Sequence, residues 1–427
     1  MSDTIQQTVD RPRQRVEQAE LDRIIQRHEL YRAGRNGGQR ALLSYKDLSG
    51  LDLAGKVLAN ADFSATFLTD ANLTGTDLSH ATLFGCDLSR AKMRNAILVR
   101  ADLRGACLHN ADLTGANLFD ADLRDGVLAQ KTRKGDLERV AVRLGATDLV
   151  GATMANANLT QAKLSGSVAM HTDFSGAVMR GCKLVRADLR NANLNDANLE
   201  GADLSGADLR GASLRNAVMI HTVMAQVETG GADLSGTLTD TERGHSLKDL
   251  VGELAQHIAQ HELWVRSFGA DGRQLDLTGY DLRGATGLTR ASLTALKANG
   301  AVFCGLDLDG TALQAAQLEE ADLRSCRLVG VDLRGANLFR ARLNFADMRD
   351  CNLGPLVIDQ GRVVQSRLDE AELRHADLRG ANLRQANCRR VDLSSANLVG
   401  ANCADADFAG ALLEGAVTVG ALGFLLR

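Results

Sequence analysis

From Leu48 onward an apolar side chain recurs at every fifth position, through Leu53, Leu58, Phe63, Leu68 and Leu73 to Leu118, Leu123 and Leu128. Two residues before most of these stands Ala, as at Ala61, Ala71, Ala81, Ala91, Ala101, Ala111 and Ala121, with Asp or Asn commonly between, so the unit reads A-(D/N)-L-x-x. A second run holds from Leu149 to Leu234, with weak members at Ala169 and Thr229, and a third runs from Phe303 to Leu413. A period of five rules out the simple elements. On an α-helix it advances each Leu by about 140°, so no apolar face forms. On a continuous strand an odd period throws successive Leu to opposite sides. The chain must turn within every unit, with a short extended piece holding the small residue and the Leu inward and a tight turn made by the remaining places.

Stretches such as Ala101-Asp102-Leu103-Arg104-Gly105 and Ala202-Asp203-Leu204-Ser205-Gly206 carry a resemblance to the pentapeptide-repeat family. The resemblance implies a mainly β fold, a right-handed quadrilateral β-helix with four units per coil. Leu103, Leu113, Leu189, Leu204, Leu333, Leu378, Ala101 and Ala202 are then structural core. Coils about 4.8 Å apart make the first two runs rods of about 20 Å and the third one of about 28 Å.

Composition suits such a column. Aromatics are 4% of the chain, Gly reaches 42 and Pro only 2, so the interior is Leu and Ala between many tight turns. The eight Cys form no CxxC; Cys86, Cys182, Cys326 and Cys351 stand in Ala places and Cys388 and Cys403 in Leu places, which marks them as small core residues rather than metal ligands or disulfides. The first residues, Met1 to Asp10, are polar with no apolar leader, and no stretch is long enough to span a membrane, so a cytoplasmic protein without membrane contact is expected.

Two helical patterns precede repeats. The first, Arg13 to Arg32, has Leu21, Ile25 and Tyr31; the second has Leu254, Ile258 and Trp264 within Leu247 to Phe268. They match each other, His28-Glu29-Leu30-Tyr31 against His261-Glu262-Leu263-Trp264 and Arg40 against Arg273, and repeats follow at Leu48 and Leu282. The expectation is two tandem modules, each an amphipathic helix that caps an open solenoid end or pairs two chains, followed by its solenoid. The boundaries expected are a disordered 1–14, a helical cap at 15–45, solenoid at 46–130, a charged insert at 131–146 and solenoid at 147–240. A helical cap or linker at 241–275, an irregular start at 276–300, solenoid at 301–420 and an apolar tail at 421–427 follow. Ala291 to Ala298 reads as a short helix within the irregular start, and the tail either seals the last coil or supports a homodimer.

No phosphate-cradling, dinucleotide or nucleophile-elbow motif occurs, His261-Glu262 is no HExxH because Val265 stands at the second His place, and His257 with His261 lacks a third ligand. No cofactor, metal or catalytic group is expected. Partner contacts are expected at Lys131, Arg133 and Lys134 of the insert and at the outward Arg374 and Arg384; counting by fives puts Arg324 with Arg384 on one face and Arg334 with Arg374 on another. The favoured function is a non-enzymatic scaffold for an unidentified protein partner. The resemblance also implies duplex-DNA mimicry toward a type II topoisomerase, as in quinolone-resistance proteins, with a secreted effector or structural part as a further alternative. Charge weighs against mimicry: a rod of about 28 Å of duplex carries about 16 negative charges, whereas residues 301–427 hold 17 acids and 14 bases. Nucleic-acid binding is not expected of a chain with net charge -4 and no basic stripe.

Overall fold

The computed structural model describes residues 14–131, 137–359 and 361–423. Contacts divide the chain into two compact units, Met1–Asp240 and Thr241–Arg427.

Within each five-residue unit the burial alternates: small residue in, polar residue out, Leu in, then two turn residues at the surface. This resolves the odd period, because the strand piece keeps its period of two and the turn resets it. Parallel bridges join residues twenty apart, Asp47 to Phe67, Phe67 to Asp87 and Asp87 to Cys107, so four units make one coil. At most corners a C=O accepts from the N–H three residues on, as Phe63 does from Thr66 at 2.9 Å, and the residue before the donor, here Ala65, sits at φ 54°. Positive φ at the third turn position is the type II geometry that explains Gly and Asn there. Thr66, Thr76, Thr172 and Thr311 occupy the inward small position, and each hydroxyl donates to the Leu carbonyl of the previous coil at 2.7–2.8 Å. The thiols of Cys86 and Cys326 do the same toward Phe63 and Phe303. A buried polar atom is thereby satisfied without leaving the Leu-Ala column.

In unit one β1 (Gln14–Arg15) pairs in parallel with β2 (Lys46–Asp47) of the first coil, and α1 (Gln18–Arg32) lies between them in sequence. In unit two β5 (His245–Ser246) pairs in parallel with β6 (Tyr280–Asp281), and a 3-10 turn (Leu247–Asp249) and α2 (Leu254–Arg266) lie between. The second helical pattern is thus broken near Gly252, and only its later part is α-helix. Leu21, Ile25 and His28 of α1 are buried, Tyr31 is largely exposed; in α2 Ile258 and His261 are buried while Leu254 and Trp264 are half-buried. Past each helix the chain turns back over its last turn at Gly38 and Gly272, where a Cβ would lie 2.3 Å from the Tyr31 nitrogen and 2.2 Å from the Gln260 carbonyl oxygen. Only glycine passes there.

Several boundaries differ from the sequence expectation. Coil begins one unit earlier in each case, at Ala41 and Leu43 in unit one and at Leu275 and Leu277 in unit two. Ala291 to Ala298 is coil rather than helix, with Leu293, Leu296 and Ala298 buried; Leu and Ala have exchanged the large and small inward places, which blurs the motif but preserves the volume. Leu128 is no repeat member: it lies in β3 (Gly126–Lys131), which pairs antiparallel with β4 (Leu137–Leu144) as a hairpin, so the first run ends at Leu123 and the insert begins before residue 131.

A second hairpin, β7 (Leu356–Asp359) with β8 (Arg362–Val364), interrupts the third run. Its insertion lengthens the coil step from twenty to thirty, Asn337 bridging Arg367. Ten residues are two whole units, so Ile358 and Val363 keep the period while being 48% and 47% exposed. The expectation for 1–14 falls outside the described residues except Gln14, and so does the tail beyond Gly423. Leu422 still extends the ladder, its N–H donating to the Ala401 carbonyl at 2.8 Å.

Candidate interaction surface

The predicted core residues Leu103, Leu113, Leu189, Leu204, Leu333, Leu378, Ala101 and Ala202 are all buried inside the coils. The side chains open to contact are those on the outward positions. There the Asp or Asn before Leu accepts the N–H two residues on, Asp47 from Ser49 at 2.9 Å and Asp233 from Ser235 at 3.0 Å, closing an Asx turn in unit after unit. The neighbouring donors hold these carboxyls low; Ser235 and Arg215 bring Asp233 to about 2.

Where the unit reads D-L-R, the Arg folds back over the Leu position and grips its own Asp with two parallel bonds. Arg104 meets Asp102 at 2.8 and 2.8 Å, Arg190 meets Asp188 at 2.8 and 2.6 Å, and Arg334, Arg349 and Arg379 repeat the fork on Asp332, Asp347 and Asp377. An i, i+2 pair along a strand shares one face, which is why this spacing makes the fork. The pair Arg324–Asp322 is buried, with Arg324 only 1% exposed, and its bonds of 2.8 and 2.5 Å replace the water both charges have lost.

The ten-residue insertion re-sorts the arginines expected to share faces. Asp322, Arg342 and Glu372 are ladder neighbours, and so are Asp332, Asn352 and Asn382. Arg324 therefore shares its face with Arg374, and Arg334 with Arg384, the reverse of the count by fives. Arg374 is held by Asp392 at 2.5 Å, whereas the Arg384 side chain makes no hydrogen bond or ion pair among the described residues. Of the insert, Lys131 ends β3 opposite Leu137, while Arg133 and Lys134 lie outside the described residues.

One concavity stands out, a groove of about 720 Å³ on unit two, lined by Arg243, Gly279 and Gly300 at one end and by Glu320, Arg340, Arg342 and Glu370 along its length. Sequence reasoning passed over Arg342, whose signal was the A-R-L unit Ala341-Arg342-Leu343, with Arg where the units on either side carry Asn337 and Asp347. Chemistry of the nucleophilic kind has little support. All eight thiols are free, burial raises those of Cys351 and Cys403 to about 12 and about 11, and no cluster of metal-ligating side chains occurs among the described residues. No helix among them is long and apolar enough to cross a membrane.

The chain is similar to several solved pentapeptide-repeat proteins. HetL, involved in heterocyst differentiation regulation in the cyanobacterium Nostoc, is 21% identical over 94% of both chains with a TM-score of 0.17. Rfr23 from the cyanobacterium Cyanothece is 26% identical over 33% of this chain and 91% of its own, TM-score 0.24. QnrB1, a plasmid-mediated fluoroquinolone resistance protein, is 19% identical over 55% of this chain and 100% of its own, TM-score 0.27. No curated protein matches. The family model described as pentapeptide repeats matches at 43–79, 81–125, a set of overlapping segments from 140 to 238, 288–324, 316–354, 364–385 and 386–417, which together make up more than half of the chain. With its coils of four such units, the chain belongs to the pentapeptide-repeat family, whose members form right-handed β-helices.

Proposed function

We propose that the chain is a non-enzymatic scaffold that presents rigid solenoid faces to a protein partner, with α1 and α2 capping the N-terminal ends of the two solenoids. The observation that carries this reading is the repeated D-L-R fork. It neutralises Asp and Arg against each other along the coils, so the surface offers neither the basic track a nucleic acid needs nor the unbroken negative face a duplex mimic needs. A long, mixed-charge face with a fixed spacing between side chains suits protein recognition. Helix α1 supports the capping role because its Leu21 and Ile25 join the same core as Leu43 and Leu48, and its buried His28 bonds to Ala41 and Ala59. At the other end of unit two, Leu412, Val417, Val419 and Leu422 are exposed, and a second copy adding to that coil is the homodimer we favour.

Affinity purification of the full chain from its native host, followed by size-exclusion chromatography with light scattering, tests the reading. A stoichiometric protein partner is the expected result. Recovery of the chain alone at micromolar concentration, or inhibition of a topoisomerase supercoiling assay in that range, overturns it in favour of another role or of DNA mimicry.

A further inference from the structure

We infer that the groove of unit two receives an extended peptide segment of a partner, with an acidic side chain of that segment on Arg342. The inference rests on the scaffold reading and names what one of its faces takes. Shape comes first. The groove follows the ladder Asp281, Val302, Asp322, Arg342, Glu372, four coil steps at about 4.8 Å, or about 19 Å. That is the length of about six extended residues. A compact metabolite fills a fraction of it.

Charge then selects the segment. Going along the axis, the lining reads carboxylate at Glu320, guanidinium at Arg340 and Arg342, and carboxylate at Glu370. Arg342 has ladder neighbours of opposite charge on both sides, yet neither holds it. Asp322 is gripped by Arg324, and Glu372 accepts from the Asn344 amide at 3.0 Å. Glu370 is shared by Arg340, at 2.7 Å, and Arg390. The Arg342 side chain is thus half-buried and makes no hydrogen bond or ion pair among the described residues, five donors in a planar fork whose match is a carboxylate. Glu320 is the opposite case, an acid 62% exposed at its side chain that reaches Arg340 only at 4.0 Å, and it remains open to a cation. An acid flanked by bases at alternate positions of an extended chain puts all three charges on one side. A polyanion is disfavoured, because the carboxylates on either side of Arg342 repel it.

The test uses the full chain and fluorescence anisotropy with fluorescein-labelled Gly-Lys-Ser-Glu-Ser-Lys-Gly, its charge-reversed counterpart Gly-Glu-Ser-Lys-Ser-Glu-Gly, and inorganic phosphate as competitor. The first peptide is expected to bind at least about 10-fold more tightly than the second, and Arg342→Glu to lose at least about 10-fold for the first, the scale of one charge-assisted bond. Arg342→Gln, which adds no charge, is expected to lose less. Equal binding of the two peptides, no saturation at millimolar peptide, displacement by phosphate, or an unchanged affinity in Arg342→Glu with an unchanged melting curve overturns the inference. If the Arg342→Glu chain still captures its partner while the peptides fail, the groove assignment falls and the scaffold reading stands. Capture of no partner by the wild-type chain removes the scaffold reading itself.

Discussion

Helices α1 and α2 are joined to their first coils by the same histidine, under different terms. His28 accepts the Ala41 N–H on Nδ1 at 3.1 Å, which places the proton on Nε2, and Nε2 donates to the Ala59 carbonyl at 3.0 Å. His261 accepts the Leu275 N–H on Nδ1 at 3.0 Å, but its buried Nε2 faces the Leu293 and Thr294 backbone without reaching a hydrogen bond. Helix α1 also buries Leu21 fully, whereas the corresponding Leu254 is only half-buried. The helices end alike, Arg35 donating to Leu30 and Gly269 to Trp264, with Gly34 at φ 63° in one and Phe268 at φ 53° in the other. Two segments that match in sequence thus differ in how completely the equivalent histidine and leucine are engaged.

The sharpest way to break this comparison is at the leucines. Leu21→Ala is expected to cost about 2–5 kcal/mol, as for other buried leucines, and Leu254→Ala less than half as much; equal shifts of the urea midpoint contradict it. At the histidines, His28→Leu strands the Ala41 N–H and the Ala59 carbonyl and is expected to cost about 1–3 kcal/mol. His261→Leu strands only the Leu275 N–H and removes an unpartnered nitrogen, so its cost is expected to be smaller. Both wild-type histidines respond to acid. Burial lowers each below 6.5, opposed by the Ala59 carbonyl at His28 and by the Thr294 and Leu293 backbone at His261, with Arg32 and Arg40 adding to the lowering at His28. Between the lowered native value and 6.5 the unfolded chain binds more protons, so stability is full above 6.5 and falls as the pH drops below it, until the native value is passed. Thermal melts from pH 7.5 down to pH 5.5 are expected to show this limb, and each His→Leu variant to flatten it; an unchanged slope in both contradicts the assignment.

A smaller effect sits at the helix ends. Phe268 is 99% exposed, so Phe268→Gly gives up no burial and relieves a left-handed backbone, an expected gain of about 1 kcal/mol. Loss of stability in that variant marks Phe268 as part of a contact surface instead. Smallest of all, Ile358→Ala in the β7–β8 hairpin is expected to stay within about 0.5 kcal/mol. A loss as large as that of Leu353→Ala, one unit earlier in the same frame, shows that Ile358 is core after all.

The two hairpins show how far the sequence could be read. Insertion of β3 and β4 shifts the five-residue frame, and the shift between Leu123 and Leu149 is visible in the text of the chain. The β7–β8 insertion leaves the frame intact, and the available signals were Gly354-Pro355 and the loss of Ala at Leu356 and Gly361. Both insertions rejoin the coil by a similar device: Thr147 and Ser366 sit inward and accept the Gly105 and Gly335 N–H groups, while the Thr147 hydroxyl donates to the Arg124 carbonyl at 2.8 Å and that of Ser366 to the Leu333 carbonyl at 3.0 Å. Nothing in a one-dimensional pattern distinguishes those hydroxyls from the Thr of an ordinary unit.

The five-residue period alone determined that the chain turns in every unit and that Leu and Ala face inward, leaving the outward positions free to vary, because only one local geometry reconciles an odd period with a period-two strand. Tertiary structure decided which outward residues share a face, since a single ten-residue loop shifts every later residue by half a coil and puts Arg374 on the face of Arg324, two coils away. It also decided which charges remain unspent. Arg342 has the same composition around it as many paired arginines, and only the prior engagement of Asp322 and Glu372 leaves its guanidinium open.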